Sequence, residues 1–194
     1  MKVVETVGRT PIKQLDDKTI GLIAAGEVVE RPAQVVKELL ENSIDAGGTR
    51  IHIEIQRGGF DLISVIDDGH GIPAEELPLA VTRHATSKLD DAADLEAIGT
   101  LGFRGEALAS VGAVSHLTLS SRLVGEAGRG IEVFDGEVSE VEPHGMAEGT
   151  TVGVRNLFAN QPARLAFQRR PATETAQVVD GVVSHALCNP RAVP

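Results

Sequence analysis

Hydrophobic residues recur at helical spacing in two stretches near the N-terminus. KTIGLIAAGEVV carries apolar residues at three- and four-residue intervals, and the next such stretch covers about residues 32–46. Pro32 suits the first turn of a helix, and Gly47 and Gly48 are residues that commonly end one. The pattern therefore predicts two consecutive helices, the second of which stops at this glycine pair.

Strict alternation replaces helical spacing farther along the chain. RIHIEIQ alternates isoleucines with polar residues, and after Gly58 and Gly59 the segment FDLISVID supplies an antiparallel partner that ends at Asp67. The other predicted elements are helices over residues 73–82 and 92–98, strands at SHLTLSSR, RGIEVFDG and GTTVGVRNLF, and a closing helix at ETAQVVDGVVSHAL. Helices followed by strands in one sheet predict an α+β fold.

The chain is about the size of one domain. Residues 1–11 have no clear periodicity and contain Gly8 and Pro11, so we expect a flexible N-terminal arm. Asp16 and Asp17 follow as candidate N-caps for the first helix. We therefore expect an arm over residues 1–11 and a single domain over residues 12–194.

Composition narrows the possible functions. The 194 residues carry a net charge of −10, which disfavours binding to a polyanion except through a local basic patch. Aromatic residues make up 3%, without Trp or Tyr, so there is no stacking platform for single-stranded nucleic acid. Cys188 is the only cysteine, which excludes an internal disulfide and indicates a buried or inert thiol in a reducing cytoplasm. No apolar run approaches the ~20 residues that cross a bilayer.

The second predicted helix carries polar residues at the border of its apolar face. With Val35 at zero and 100° per residue, the core face covers about 0–180°, and Glu38 and Asn42 fall at about 300° and 340°. Lys37 and Glu41 fall at about 200° and 240°, and we expect them to lie beyond the other edge of the core face or well out toward solvent. Glu38 and Asn42 therefore share one edge of a buried face.

An acid and an amide in such a half-sheltered position can support metal-assisted hydrolysis. The carboxylate of Glu38 can orient or deprotonate a water molecule, and the amide oxygen of Asn42 can bind a hard cation such as Mg²⁺. Ordinary solvated helix residues show the same spacing more often. The remaining motifs decide between these two explanations.

Two glycine-containing motifs follow. DDGHGI comes directly after a predicted strand, where Asp67 could accept a hydrogen bond from an adenine amino group while the glycines let the backbone approach a flat ring. In GTLGFRGEALASVG, glycines precede a helical pattern, so backbone N–H groups could bind phosphates. Taken separately, an acidic turn and a generic glycine-rich loop explain these motifs more simply. The chain has no G-x-x-x-x-G-K-[ST] motif, which excludes a Walker-type site.

Taken in order, five motifs resemble those of the GHKL ATPases, and specifically the N-terminal domain of the MutL family of DNA mismatch repair proteins. They are ELLENSIDAG, DDGHGI, TRHATSKL, GTLGFRGEALAS and EGTTVGVRNLFANQPAR, and the resemblance covers about residues 12–167. IAAGEVVERPAQVVKELLENS together with GFRGEALAS separates the chain from gyrase B subunits, chaperones and sensor histidine kinases. The resemblance implies the Bergerat fold, a two-layer α/β sandwich with a mixed, mostly antiparallel sheet covered by helices on one face.

The resemblance also implies roles for individual residues. Glu38 would be the general base and Asn42 the Mg²⁺ ligand, while Asp67 would bind adenine beside Gly69 and Gly71. The other implied ATP-binding residues are Thr86, Ser87 and Lys88 in a lid, Gly102, Phe103, Arg104, Gly105, Glu106, Ala107 and Leu108 in the phosphate loop, and Thr150 or Thr151 at the adenine end. The implied cofactors are ATP and Mg²⁺.

The chain departs from the family pattern at several positions. Asp68 stands where relatives often carry Asn, and His70 occupies a variable position, so we expect neither to be catalytic. Ala159, Gln161 and Ala166 replace more usual residues, which puts local packing or partner contacts there in doubt. We expect His84 to be a packing or hydrogen-bonding residue of the lid rather than a ligand.

Arg164, Arg169 and Arg170 are expected to form a solvated face, with DNA contact as the alternative.

Membership of this family would imply slow ATP hydrolysis that drives dimerisation and a conformational switch, coupling mismatch recognition to repair. The implied partners are a second protomer, the mismatch-recognition protein MutS and downstream repair enzymes, with weak DNA binding at most. Relatives continue into a second domain and a C-terminal dimerisation domain, which we expect to be absent here, leaving hydrolysis weak. A nucleotide-gated dimerisation module with negligible hydrolysis, and a topoisomerase- or chaperone-like ATPase, are the alternatives. We expect a cytoplasmic location, with nucleoid association during repair.

Overall fold

A computed structural model describes residues 12–86 and 105–188 of the chain as helices packed on a seven-stranded sheet. The predicted arm over residues 1–11 and the predicted helix over residues 92–98 lie outside the described residues. Among the described helices, none combines the length and apolar character that crossing a membrane requires.

The helices begin and end largely where capping residues predict. They are α1 (Asp17–Val28), α2 (Pro32–Asp45), α3 (Leu77–Ala80), α4 (Ala107–Ala113), α5 (Pro162–Ala166) and α6 (Pro171–Cys188). The carboxylate of Asp16 accepts the N–H of Thr19 at 2.8 Å and caps α1. Pro32 opens α2, and Gly47 follows its C-terminus with a φ of +74°, a conformation that favours glycine.

The strands form one sheet, and every strand pair in the described part of the chain is antiparallel. The strands are β1 (Ile51–Gln56), β2 (Leu62–Asp67), β3 (His116–Arg122), β4 (Arg129–Phe134), β5 (Glu137–Val138), β6 (Glu142–Pro143) and β7 (Gly149–Arg155). Their order is β1-β2-β7-β3-β4-β5, and β6 also pairs with β4. The last long strand, β7, therefore lies in the middle of the sheet, between β2 and β3.

The register of the central strands places apolar side chains in rows on the helix-covered face. One row contains Ile63, Val154 and Leu117, and the next contains Val65, Val152 and Leu119. All six side chains are buried. Burying a side chain of this size contributes about 1.5–3 kcal/mol, so these rows form the aliphatic core that the low aromatic content predicts.

One predicted helix is much shorter than expected. In place of a helix over residues 73–82, a 3₁₀ turn at Ala74–Glu76 leads into the single turn of α3. The chain leaves helical geometry at Val81, and His84 has a φ of +61°. A left-handed residue cannot continue a right-handed helix, so the segment bends away here.

Helix α6 packs beside α2, and two residues on these helices differ from what the sequence predicts. Glu41 is buried, with 6% of its surface exposed, because α6 covers the side of α2 that was expected to face solvent. Cys188 is exposed at the end of α6. Of the two expectations for its thiol, that it is buried is wrong, and that it is inert stays a prediction.

The expectation that Arg164 belongs to a solvated face is wrong, because its side chain contacts other parts of the fold. Its guanidinium group donates to the carbonyl oxygen of Gly26 in α1 and, at 3.3 Å, to Oε1 of Gln161. It also lies 5.2 Å from the ring centroid of Phe158. Arg169 and Arg170 are exposed, as expected.

Candidate functional site

The helix-covered face of the sheet ends in a row of polar residues. Asp67, Thr150 and Ser121 are Cα partners across β2, β7 and β3, directly after the apolar rows. All three are buried, at 7%, 8% and 2% exposure. The hydroxyl oxygens of Thr150 and Ser121 lie 3.2 Å apart. This polar row, Asp67–Thr150–Ser121, gives the core face a hydrogen-bonding end.

The carboxylate of Asp67 is held by three donors. The hydroxyl of Ser43 in α2 donates to Oδ2 at 2.7 Å. The backbone N–H groups of Gly69 and Thr150 donate to Oδ1 at 3.0 and 3.3 Å. A carboxylate offers roughly four lone-pair positions, so the Asp67 group is fixed in direction and can still accept one further donor.

Two glycines beside Asp67 have no room for a side chain. A Cβ on Gly69 would lie 2.8 Å from the Cβ of Ala46, and one on Gly71 would lie 2.8 Å from the carbonyl oxygen of Arg122. Gly71 also has a φ of +78°, which favours glycine. The loop after Asp67 is therefore packed closely against the C-terminus of α2 and the end of β3.

Ser121 is a residue of this site that sequence reasoning missed. Its hydroxyl donates to the carbonyl oxygen of Gly149 at 3.0 Å and accepts the N–H of Ile72 at 2.8 Å. It thereby joins β3 to the loop after Asp67 and to the start of β7. Alternation along SHLTLSSR places Ser121 on the core face with Leu119, but the strand register is needed to place it beside Thr150.

Register also separates the two candidate threonines at the adenine end. Thr150 is the Cα partner of Asp67 and lies in the polar row. Thr151 is the Cα partner of Ile66 and, since neighbouring strand residues point to opposite faces, lies on the other side of the sheet. The structure therefore brings Thr150, and not Thr151, to Asp67.

Glu38 and Asn42 lie one turn apart on α2, and both are partly buried. Asn42 directly precedes Ser43, whose hydroxyl binds Asp67. The C-terminal half of α2 is thus attached to the end of β2. This attachment places the predicted base and metal ligand on the helix that borders the polar row.

The predicted lid and phosphate loop are described in part. Ser87, Lys88, Gly102, Phe103 and Arg104 lie outside the described residues. The described residues on either side, up to residue 86 and from residue 105, contact each other. His84 Nδ1 lies 3.1 Å from Oε1 of Glu106, and a Cβ on Gly105, whose φ is +62°, would collide with the carbonyl of Ala85. Thr86 is exposed at one flank, and Ala107 and Leu108 open α4 at the other.

Asp68 has a structural role next to the site. Its carboxylate accepts the backbone N–H groups of Arg50 and Thr49 at 2.8 and 2.6 Å, and the Thr49 hydroxyl at 2.8 Å. The N–H of Arg50, followed by the Thr49 hydroxyl, holds the pKa of Asp68 well below its usual range. Asp68 therefore fastens the loop after α2 to the end of β2.

The residues present suit Mg²⁺ bound together with a nucleotide. Within residues 12–86 and 105–188, no group of three His, Cys, Asp or Glu side chains could hold a metal by itself. Mg²⁺ at phosphate sites is usually held by one or two protein oxygens, with substrate phosphates and water completing its shell. The amide oxygen of Asn42 is a ligand of that kind.

A cavity of about 260 Å³ lies elsewhere. Its lining includes Phe60 and Asp61 before β2 and Asn156 and Leu157 after β7. This is the opposite end of the two strands from Asp67, about 17 Å away at 3.3 Å per residue. The cavity contains none of the residues predicted to bind nucleotide.

The chain is similar in sequence to known proteins. A family model described as "Histidine kinase-, DNA gyrase B-, and HSP90-like ATPase" matches residues 30–147. The chain is 55% identical over 181 residues to the DNA mismatch repair protein MutL of Xylella fastidiosa (strain M23), covering 93% of this chain and 29% of that protein. For MutL of Xanthomonas oryzae pv. oryzae (strain PXO99A) the values are 53% over 180 residues, 92% and 29%. The chain thus spans less than a third of the length of these relatives.

Solved structures show the same fold. The Aquifex aeolicus MutL ATPase domain complexed with ADP matches with a TM-score of 0.65 and 36% identity, over 84% of this chain and 58% of that one. The N-terminal domain of a DNA repair protein matches with a TM-score of 0.74 and 28% identity, over 89% and 50%. The predicted fold, a mostly antiparallel sheet covered by helices, is confirmed, as is the resemblance carried by the five motifs. The chain belongs to the family of histidine kinase-, DNA gyrase B- and HSP90-like ATPases, and within that family it is similar to the MutL mismatch repair proteins.

Proposed function

We propose that this chain binds Mg·ATP at the polar row and hydrolyses it slowly, as the nucleotide-binding part of a mismatch repair protein. The observation that carries the proposal is the buried carboxylate of Asp67. Three donors hold it, and it stands beside two glycines that have no room for a side chain. A fixed acceptor next to bare backbone suits an adenine amino group and its ring.

Adenine recognition would rest on the fixed orientation of the Asp67 carboxylate and on its being a hydrogen-bond acceptor. The amino group of adenine is a donor, and Asp67 has acceptor capacity left after its three bonds. Guanine presents a carbonyl oxygen at the equivalent position, which would face the carboxylate without a hydrogen between them. The site should therefore discriminate strongly between ATP and GTP, because an unpaired buried acceptor is costly.

Hydrolysis would use the two polar residues at the edge of α2. Glu38 would accept a proton from the attacking water, a role that typically contributes about 10²–10⁴-fold to a rate. Asn42 would hold Mg²⁺, which when bound stabilises negative charge on the phosphates. The bond between Ser43 and Asp67 supports this assignment, since it fixes α2 relative to the adenine end.

The triphosphate would be enclosed by residues from both flanks of the lid. We propose that Thr86, Ser87, Lys88, Gly102, Phe103, Arg104, Gly105, Glu106, Ala107 and Leu108 contribute. The contacts between His84 and Glu106, and between Ala85 and Gly105, bring the two described flanks of the predicted lid to one place, which supports this proposal.

The biological role would be that of a switch in DNA mismatch repair. ATP binding would pair two copies of this domain, and the pairing would couple mismatch recognition by MutS to downstream repair enzymes in the cytoplasm. Similarity to MutL proteins over more than nine-tenths of the chain supports this role. DNA would bind weakly at most, given the net charge of −10.

A module that binds nucleotide and pairs without measurable hydrolysis is the alternative. It would use the same polar row, since adenine recognition does not require turnover. Measuring phosphate release and dimer formation in the same sample separates the two. Dimer formation without phosphate release favours the module, whereas release that Glu38→Ala abolishes favours the ATPase.

The test of nucleotide binding is a calorimetric titration with ATP and GTP in the presence of Mg²⁺. We expect ATP to bind at least tenfold more tightly than GTP, and Asp67→Asn to remove most of that preference. Asp61→Asn is the matched control, because Asp61 has a half-exposed side chain paired with Arg57 at the opposite end of β2. Equal affinity for both nucleotides in the wild type would contradict adenine recognition by Asp67.

A further inference from the structure

Helices α2 and α6 run side by side in the same direction and are joined by polar contacts at both ends of α2. Just before α2, Arg31 Nη1 donates to Oε1 of Gln177 at 3.0 Å. Near the end of α2, Oε1 of Glu41 lies 3.1 Å from Nε2 of His185. A small cavity between these contacts is lined by Ala33, Val36, Lys37 and Leu40 from α2 and by Val178, Gly181 and Val182 from α6.

The Glu41 contact is the better buried part of this interface. The side chain of Glu41 is 8% exposed and that of His185 is 21% exposed. Lys37 also contacts Glu41, with Nζ 3.2 Å from Oε1, but its side chain is 51% exposed. A pair that solvent screens weakly is stronger than an exposed one. Of these two partners of Glu41, His185 lies on a different helix, and its contact with Glu41 is the less screened by solvent.

The imidazole ring of His185 is fixed at both nitrogens. Nδ1 lies 2.9 Å from the carbonyl oxygen of Gly181, and Nε2 lies 3.1 Å from the Glu41 carboxylate. Both partners are acceptors, and the acceptor at Nε2 is a carboxylate. A hydrogen bond to a carboxylate is charge-assisted, which makes it stronger and more directional than a neutral one.

Glu41 lies on α2 between the two residues proposed to act on the phosphates. It follows Glu38 by three residues and precedes Asn42 by one, which places it about 60° and 100° from them around the helix axis. A helix with side chains is about 10–12 Å across, so a rotation of about 10° moves a side-chain tip by roughly 1 Å. A displacement of about that size can cost 10²-fold in rate.

We propose that Glu41 and His185 form a clasp that sets the rotation of α2 about its axis and thereby positions Glu38 and Asn42 for hydrolysis. This inference rests on the proposed function of those two residues. The adenine end is held separately, by the bond between Ser43 and Asp67. Breaking the clasp should therefore slow turnover while leaving nucleotide affinity almost unchanged.

The experiment compares four versions of the 194-residue chain: wild type, His185→Leu, His185→Arg and His116→Leu. His116 is the matched control, since its Nε2 also lies 3.1 Å from a glutamate, Glu132, but on the partly exposed pair β3 and β4. We expect His185→Leu to lower turnover at least tenfold with the Kd for ATP within threefold of wild type. His185→Arg, which keeps a hydrogen-bond donor to Glu41, should recover at least half of the rate, and His116→Leu should match wild type.

A second readout does not depend on catalysis. Hydrogen exchange of the α2 backbone should quicken in His185→Leu and not in His116→Leu, with or without nucleotide. If wild type fails to hydrolyse ATP, the proposed function fails, and the exchange comparison still tests the clasp. Should His185→Leu be unfolded, Glu41→Leu, which removes the acceptor from the same contact, replaces it, with the same selective loss of turnover expected. Unchanged turnover and exchange, an equal loss in His116→Leu, or no recovery by arginine would overturn the clasp.

Discussion

The hydroxyl of Ser43 donates to Oδ2 of Asp67 at 2.7 Å and ties α2 to the end of β2. Both residues are buried, at 3% and 7% exposure. Ser43 directly follows Asn42, so one hydrogen bond links the residue proposed to hold Mg²⁺ to the residue proposed to bind adenine. The two ends of the candidate site are therefore connected through a single turn of α2.

Removing this bond should weaken both the fold and the site. Ser43→Ala deletes a buried bond to a charged group, and such bonds contribute about 1.5–3 kcal/mol to the free energy of unfolding. Urea denaturation should show a loss of that size together with weaker ATP binding. Ser184→Ala is the control, because Ser184 is exposed and bonds to the carbonyl of Asp180. Equal stability of the two variants would contradict the importance of the Ser43 bond.

Substituting Gly71 tests how closely the backbone is packed beside Asp67. Comparison with Gly125 separates the strain of the backbone conformation from the steric clash of an added Cβ. Gly71 and Gly125 have the same φ of +78°, but a Cβ on Gly71 would meet Arg122, whereas one on Gly125 would have nothing within 4 Å. Gly125→Ala should cost the strain of the left-handed conformation, about 1–2 kcal/mol. Gly71→Ala should cost more and should also reduce ATP affinity. Thermal unfolding and ATP titration measure both, and an unaffected affinity in Gly71→Ala would contradict ring binding there.

Glu38→Ala should separate binding from turnover. Loss of a general base lowers a rate by about 10²–10⁴-fold, whereas the adenine contacts stay in place. Phosphate release measured with saturating Mg·ATP should fall by that factor at unchanged Kd. Glu54→Ala, on the exposed face of the edge strand β1, should leave both values as in wild type. A parallel loss of affinity and turnover would remove Glu38 from the role of base.

Asp68 should make stability depend on pH in the acid range. Since folding lowers its pKa, the charged form stabilises the folded protein above the ordinary Asp value of about 3.9, and this contribution fades as the pH falls below it. Wild type should therefore exceed Asp68→Asn in stability at about pH 6, and the gap should narrow at about pH 3. Urea denaturation at both pH values checks this. A gap that widens in acid would contradict the assignment.

Local patterns in the sequence located three residues of the candidate site, and the family resemblance implied their roles. Glu38 and Asn42 were found because helical spacing sets side chains one turn apart, and Asp67 was found because it ends an alternating strand. The choice between Thr150 and Thr151, and the presence of Ser121, depended on how three separate strands align. Register of that kind is a tertiary property, so local spacing could not supply it.

The burial of Glu41 shows a different limit of sequence reasoning. A helical wheel identifies one apolar face, and on that basis Glu41 lies outside the core. Helix α6 provides a second covering surface whose partner for Glu41, His185, is 144 residues away in sequence. A polar residue can be buried wherever such a partner satisfies it, and hydrophobic periodicity carries no signal for this.

The central claim is that the polar row at the end of β2, β7 and β3 holds the adenine ring. The most direct measurement is a crystal structure with a non-hydrolysable ATP analogue and Mg²⁺. We expect the adenine amino group within hydrogen-bond distance of the Asp67 carboxylate, the ring against Gly69 and Gly71, and the phosphates on the Asn42 side of α2. A nucleotide seated instead in the cavity beside Phe60 and Leu157, with Asp67 uncontacted, would contradict the account.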